Sequence, residues 1–137
     1  MNCLQGIVRA VESNGYVSLA DVAVGPDVFT AILLETPQNA PYLQPGGRVE
    51  VLFKETEVSL AKGLSGQISL RNRLEATVQG IRHGEILCEI TLDYRGQALT
   101  SIITARAVER LALQTGDAVE ALIKANEVTL RECGDGL

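Results

Sequence analysis

The sequence contains no tryptophan, one histidine and five aromatic residues, three tyrosines and two phenylalanines, among its 137 residues. So few aromatic rings leave little to stack on nucleic-acid bases or to line a large pocket. Basic residues are also scarce: 12 lysines and arginines stand against 17 acidic residues, and the net charge of −5 repels a phosphate backbone. These scarcities argue against nucleic acid as a partner, and a single histidine excludes a two-histidine metal site.

Long apolar segments and processing signals are missing as well. No apolar run approaches the roughly 18 residues that a membrane-spanning helix requires. The start, Met1–Leu4, has neither the basic residues nor the apolar core of a secretion signal. The three cysteines are widely spaced and form no Cys-x-x-Cys pair, so we expect reduced thiols. The sequence therefore predicts a cytoplasmic protein without a membrane partner.

Catalytic signatures are absent from the sequence too. It has no nucleophile elbow, phosphate-binding loop, zinc-protease motif or dinucleotide fingerprint. The single histidine, His83, lies in Arg82–Glu85, a stretch typical of a solvated hairpin tip. We therefore predict that the protein is not an enzyme, and that it has neither catalytic residues nor a cofactor.

The chain repeats itself. A shift of 70 residues gives 12 identities over the 31 positions 30–60. A joint, Lys62–Gly66, contains two glycines and separates the copies. The sequence predicts a first barrel over residues 1–62 and a second over residues 67–137. The identical positions of the first copy are Thr30, Ile32, Leu43, Gln44, Gly46, Val49, Glu50, Leu52, Lys54, Glu57, Val58 and Leu60.

Alternating apolar residues predict five strands in each copy. The pattern of five short strands in about 65 residues is typical of a small Greek-key barrel of the OB type. We predict an all-β protein with two tandem OB-like five-stranded Greek-key barrels, each with a short helix between strands 3 and 4. The predicted strands are 4–11, 16–24, 28–34, 48–53 and 57–61, then 74–81, 86–93, 98–103, 118–124 and 127–131.

The helix of the second copy is the clearer of the two. Helical spacing begins after Thr104, the expected N-cap, and Gly116 is the expected stop. In the first copy Pro37 and Pro41 limit the matching helix to about one turn.

A set of hydrogen-bond donors surrounds the start of the second copy. In an extended chain Ser69 and Arg71 project to one side while Leu70 projects inward, and Asn72 follows. Fixed donors without a carboxylate suit a tetrahedral dianion, although each residue taken alone also fits an ordinary surface or turn role. Further donors are the Lys124 side chain, the Ala125 and Asn126 amides of a turn, and the free amides of Ala105, Arg106 and Ala107 at the helix start.

Five segments of the second copy resemble the Mop domain of the molbindins, which are molybdate-binding proteins. They are Ser69–Val78, Gly84–Ile90, Leu99–Thr104, Leu111–Asp117 and Leu122–Val128. The resemblance extends more weakly over the first copy, so the chain resembles a tandem Mop protein. The family has Ser-Ala-Arg-Asn where this sequence has Leu70 as the second residue.

The resemblance implies a site that binds molybdate, or tungstate. Carried over residue by residue, it implies binding by Ser69, Leu70, Arg71, Asn72, Ala107, Lys124 and Ala125, with Lys54 from the first copy. The first copy has Met1 in place of Arg71, and Glu55 follows Lys54. A carboxylate opposes an adjacent dianion, so we expect fewer or unequal sites there.

Three functions stay open at this point. The first is molybdenum storage and homeostasis by a homo-oligomer, with a trimer expected from the family and sites between barrels. The second is a molybdate-sensing module that recruits a transcription regulator or a transport ATPase. The third is an OB-fold nucleic-acid binder, against which the net charge and the few aromatic residues argue.

Overall fold

The computed structural model describes residues 1–133. Residues 134–137, the end of the predicted second barrel, lie outside the described residues. The strands are β1 (Asn2–Ser13), β2 (Ser18–Val24), β3 (Asp27–Leu33), β4 (Arg48–Phe53), β5 (Ser59–Ala61), β6 (Asn72–Arg82), β7 (Leu87–Tyr94), β8 (Gln97–Thr104), β9 (Ala118–Ile123) and β10 (Thr129–Glu132). The α-helix α1 is Ala105–Leu111, and two 3-10 turns, called the first and second 3-10 turns, are Glu55–Glu57 and Ala125–Glu127.

Alternation of buried and exposed residues builds each strand, as a sheet with one face on a core requires. In β2 every second side chain from Ser18 to Val24 is buried, and β6 alternates in the same way from Asn72 to Val78. In the first core Phe29 and Phe53 pack with their ring centroids 6.0 Å apart. The predicted all-β class and the two OB-like five-stranded barrels are confirmed.

The two sheets exchange their last strands. One sheet has the order β10-β4-β1-β2-β3 and the other β5-β9-β6-β7-β8. Thus β5 of the first repeat pairs with β9, and β10 of the second repeat pairs with β4. The register is the same in both sheets, because Ser59 pairs with Leu122 and Thr129 pairs with Leu52, each shifted by 70 residues.

This exchange changes the composition of the compact units. The first unit consists of residues 1–53 and the segment from Lys124 onward, and the second unit consists of Lys54–Ile123. The predicted boundaries at residues 62 and 67 therefore separate the sequence repeats but not the compact units. The reason is that hydrogen bonding places each fifth strand beside the fourth strand of the other repeat.

The prediction of a helix in both barrels is corrected for the first repeat. There, residues 34–47 form turns, in which the Thr36 carbonyl accepts the amides of Asn39 and Ala40. Pro37 and Pro41 lack amide hydrogens, so a longer helical hydrogen-bond ladder does not form. In the second repeat Thr104 is the N-cap as predicted, but α1 ends with Ala112 as its C-cap at φ 49°, ahead of the expected stop at Gly116.

Candidate oxyanion site

The end of the β6–β9 ladder is the centre of the candidate site. Asn72 pairs with Ile123, and both side chains are buried. Arg71 directly precedes Asn72 and Lys124 directly follows Ile123, and both of these cations are exposed. The sheet register therefore places two cationic residues, 53 positions apart in the sequence, at one ladder end.

The remaining residues of the motif lie outside the strand. Ser69 is exposed at a bend, and Leu70 is half-buried. The exposed Ser69 lies three residues before the ladder begins at Asn72. Leu70 offers its backbone amide but no polar side-chain atom.

The second 3-10 turn positions the backbone donors that follow Lys124. Lys124 is its N-cap in an extended conformation (φ −67°, ψ 145°), and the Glu127 amide donates to the Lys124 carbonyl at 3.0 Å. The amides of Ala125 and Asn126 come before that bond, where the first amides of a helical turn lack intrahelical partners. No side chain caps the turn. This arrangement suits the two amides predicted to serve as donors.

At the start of α1 two of the three amides that the sequence predicts to be free, those of Ala105 and Ala107, are occupied. The Ala105 amide donates to the Ile86 carbonyl at 2.8 Å, and the Ala107 amide donates to Thr104 Oγ1 at 3.1 Å. The N-cap threonine itself satisfies the donor at Ala107. Binding of an anion by the Ala107 amide requires loss of this cap.

Lys54 occupies the corresponding place after β4. Asn2 pairs with Phe53 at the end of the β1–β4 ladder, and the exposed Lys54 is the N-cap of the first 3-10 turn. This turn packs against β8, whereas the second 3-10 turn packs against β3. Lys54 and Ala107 both belong to the second compact unit, Lys54–Ile123, whereas Lys124 and Ala125 belong to the first.

Sequence reasoning missed the role of Arg73, two residues after Arg71. Its guanidinium binds Glu120 through two hydrogen bonds of 2.9 and 2.8 Å and is therefore committed to a protein carboxylate. The hydrogen bonds from Arg73 lower the pKa of Glu120 below its ordinary value, although burial opposes the effect. Arg71, by contrast, carries its charge at the exposed ladder end. Only the register of β6 against β9 reveals this division, because Arg73 and Glu120 are distant in sequence.

Among residues 1–133, no three histidine, cysteine or acidic side chains converge in a way that could hold a metal ion. Over the same residues, α1 and the two 3-10 turns are all far too short to reach across a bilayer.

Comparison with known proteins identifies the family of the chain. The TOBE domain model matches residues 68–130. A crystal structure of the cytoplasmic molybdate-binding protein ModG, with molybdate bound, superposes with a TM-score of 0.88 at 31% identity and covers 96% of both chains.

Two further relatives carry names that refer to molybdenum. The molybdenum import ATP-binding protein ModC of Brucella abortus is 34% identical over 126 residues, which are 91% of this chain and 33% of ModC. The chain thus spans about a third of the length of ModC. The molybdenum-pterin-binding protein 1 of Clostridium pasteurianum is 38% identical over 64 residues, 46% of this chain and 94% of that protein. The chain therefore belongs to the Mop-domain family of molybdate-binding proteins and carries two Mop-type repeats in tandem.

Proposed function

We propose that this protein binds molybdate, or tungstate, at the β6–β9 ladder end and serves molybdenum storage and homeostasis in the cytoplasm. The observation that carries the proposal is the placement of Arg71 and Lys124 beside the paired Asn72 and Ile123. The role is one of binding rather than catalysis. Membership of the Mop-domain family supports the choice of ligand.

The chemistry of the donors favours a tetrahedral dianion. Arg71, Lys124 and the Ala125 amide donate hydrogen bonds and cannot accept them. Charge-assisted hydrogen bonds to an oxyanion are stronger than neutral ones, so two cations contribute most of the affinity. A protonated phosphate carries an O–H donor that these groups cannot accept, which disfavours it. Sulfate is the more demanding competitor, since only the size of the complete cage distinguishes it from molybdate.

The proposal includes self-association, with a homotrimer as the expected state. Arg71, Lys124 and Ser69 are exposed in the single chain, and an exposed ladder end covers only part of a four-oxygen anion. A second subunit would supply the remaining donors. A ligand that binds only the assembly stabilises it by mass action, so molybdate should shift the oligomer equilibrium and raise the melting temperature.

A molybdate-sensing module is the second candidate, because the chain matches only 33% of the longer ModC protein. Such a module would recruit a transport ATPase or a regulator when the anion is bound. Affinity capture from a cell extract with and without molybdate distinguishes the two: anion-dependent recovery of a partner contradicts a purely storage role.

Isothermal titration with molybdate tests the proposed site. We expect Arg71→Ala and Lys124→Ala each to weaken binding by about 10- to 100-fold, because a hydrogen bond to a charged group contributes roughly 1.5–3 kcal/mol. The exposed Arg9 of β1 provides a matched control, Arg9→Ala, which should bind as the wild type does. Unchanged affinity in both site variants would remove the β6–β9 ladder end as the binding site.

A further inference from the structure

The first hairpins of the two repeats border equivalent cavities. The cavity at the β1–β2 hairpin has a volume of about 300 Å³, and the one at the β6–β7 hairpin has about 350 Å³. Glu12 pairs with Leu19 in the first hairpin, and Arg82 pairs with Glu89 in the second, each shifted by 70 residues. The residues that line the two cavities correspond at the same spacing. The cavities therefore differ in their side chains and not in the pairing of their strands.

The second hairpin carries a thiol and an imidazole where the first carries two hydroxyls. Cys88 and His83 line its cavity, and Cys88 Sγ lies 4.0 Å from His83 Nδ1. Ser18 and Ser13 hold the matching positions of the first hairpin. Cys88 and Ser18 are both buried, whereas His83 and Ser13 are exposed. The same place in the fold thus offers a sulfur and a nitrogen ligand in the second repeat and only oxygen in the first.

The separation of Sγ and Nδ1 leaves room for one metal ion between them. Metal–sulfur and metal–nitrogen bonds of about 2.3 and 2.0 Å span about 4.3 Å in a straight line, so a separation of 4.0 Å corresponds to a wide angle at the ion. A structural Zn²⁺ site instead has four ligands in a tetrahedron. Among residues 1–133 no third histidine, cysteine or acidic side chain completes such a group. Glu89 lines the cavity, but its carboxylate pairs with Arg82 at 3.1 Å.

We propose that Cys88 and His83 form a binding site for a soft monovalent cation, Cu(I), held between Sγ and Nδ1. Thiolate sulfur and imidazole nitrogen both suit Cu(I), and this closed-shell ion is stable with only two ligands. His83 is the single histidine of the chain, so neither Cys3 nor Cys133 can form a second pair of this kind. The inference goes beyond the proposed function and does not depend on it, because none of its ligands belongs to the β6–β9 ladder end.

Binding exchanges a proton for the metal ion. The Cys88 thiol releases its proton to water, the sulfur forms a bond to Cu(I), and no oxidation state changes. The thiolate and Cu(I) are together neutral, so their burial costs less than that of an unpaired thiolate. Nδ1 of His83 supplies its lone pair, which places the ring hydrogen on Nε2. Since His83 is exposed, the ion reaches the buried sulfur from solvent past the imidazole.

Competition with a Cu(I) chelator, under anaerobic conditions with ascorbate present, measures the affinity and the number of ions bound. The full-length chain with Cys3→Ser and Cys133→Ser is the reference, because these changes remove the other two thiols. We expect the reference to bind one Cu(I) per chain. X-ray absorption spectroscopy of the loaded protein should show one sulfur and one nitrogen ligand.

Two further substitutions, each made in the reference, copy the residues of the first hairpin. Loss of an outer-shell partner costs about 10- to 100-fold in metal affinity, so Cys88→Ser and His83→Ser, which remove direct ligands, should each cost about 100-fold or more. Glu85→Gln changes an exposed residue of the same hairpin and should leave the affinity unchanged. Thermal unfolding verifies that each variant is folded, and His83 is exposed, so its substitution leaves the core intact.

Three results would overturn the site. The first is a reference chain that binds no Cu(I), and the second is a Cys88→Ser variant that binds as the reference does. The third is binding that requires Cys88 but is unaffected by His83→Ser, since a lone thiol would then be the ligand. Each of these results leaves the proposed molybdate function standing, because isothermal titration with molybdate tests that function separately.

Discussion

A single buried polar side chain, Ser101, holds the segment that follows the first 3-10 turn. Ser101 in β8 is completely buried, and its hydroxyl donates to the carbonyl of Val58, just before β5. The matching residue of the first repeat is Ala31, which is also completely buried. A small side chain therefore fits this position in both units, and the hydroxyl of Ser101 adds a hydrogen bond that Ala31 does not provide.

We expect Ser101→Ala to reduce the free energy of unfolding by about 1–3 kcal/mol, because the Val58 carbonyl is left buried without this donor. Urea unfolding at neutral pH measures the loss. Ser59→Ala is the control, since Ser59 is exposed in β5 and should change stability by less than about 0.5 kcal/mol. Equal stability of Ser101→Ala and the wild type would mean that the bond contributes nothing to the native state.

At the scale of the element, Lys62 connects the joint to the end of α1. Its ammonium group donates to the carbonyls of Leu111 and Ala112 at 3.0 and 3.2 Å and pairs with Asp117 at 3.1 Å. A cation at a helix C-terminus interacts favourably with the helix dipole. Asp117 also accepts the Gln114 amide at 2.8 Å, so one lysine and one aspartate stabilise the helix end and the turn that follows it.

Stability near this helix end should depend on pH. The Gln114 amide and then the Lys62 ammonium lower the pKa of Asp117. A folded-state pKa below the unfolded one adds stability that is fully present above the unfolded value, roughly pH 4, and is lost as the pH falls through the folded value.

We therefore expect Asp117→Asn to lower the urea midpoint at pH 7. The difference from the wild type should shrink towards pH 2. Glu109→Gln, a change of an exposed residue of α1, serves as the control. A difference that persists unchanged at pH 2 would show that the charge of Asp117 is not the cause.

The α-helix also shows how far local signals extend. Thr104 and the apolar spacing of α1 predict the helix start, because both act within a few residues. Its end at Ala112 was not predicted, since a non-glycine residue in the left-handed region gives no sequence signal. In the first repeat the sequence predicts a helix that two prolines shorten to about one turn, whereas the structure has turns and no helix there. The missing amide hydrogens of the prolines act locally, but the sequence overestimated what remains of the helix.

At the scale of the whole molecule, the exchanged strands make the two repeats interdependent. The second unit takes β5 from the first repeat, and the first unit takes β10 from the second repeat. A single repeat therefore contains a fourth strand whose edge lacks its partner and a fifth strand without a sheet. Unpaired strand edges are open to pairing with another chain.

We expect the separate fragments 1–66 and 67–137 not to form stable monomers. Each should self-associate or remain unfolded, whereas mixing the two should restore a one-to-one complex with the circular dichroism spectrum of the intact chain. Size-exclusion chromatography with light scattering measures the association. Two fragments that fold as independent monomers would contradict a stabilising role for the exchange.

The sequence by itself determined the strands, the repeat, the family and the cationic motif around Arg71 and Lys124. Alternation, identity at a fixed spacing and short motifs can all be read directly from the order of residues along the chain. The destination of the fifth strands was decided only by the tertiary structure. The two fourth strands share residues such as Glu50 and Glu120, and β5 and β10 pair with them in the same register. Either partner therefore offers a fifth strand nearly the same backbone hydrogen bonds. The side chains differ, because Arg131 of β10 pairs with Glu50 of β4, whereas Ala61 of β5 lies opposite Glu120, which Arg73 already binds. These partners are far apart in the sequence, so only the tertiary structure brings them together.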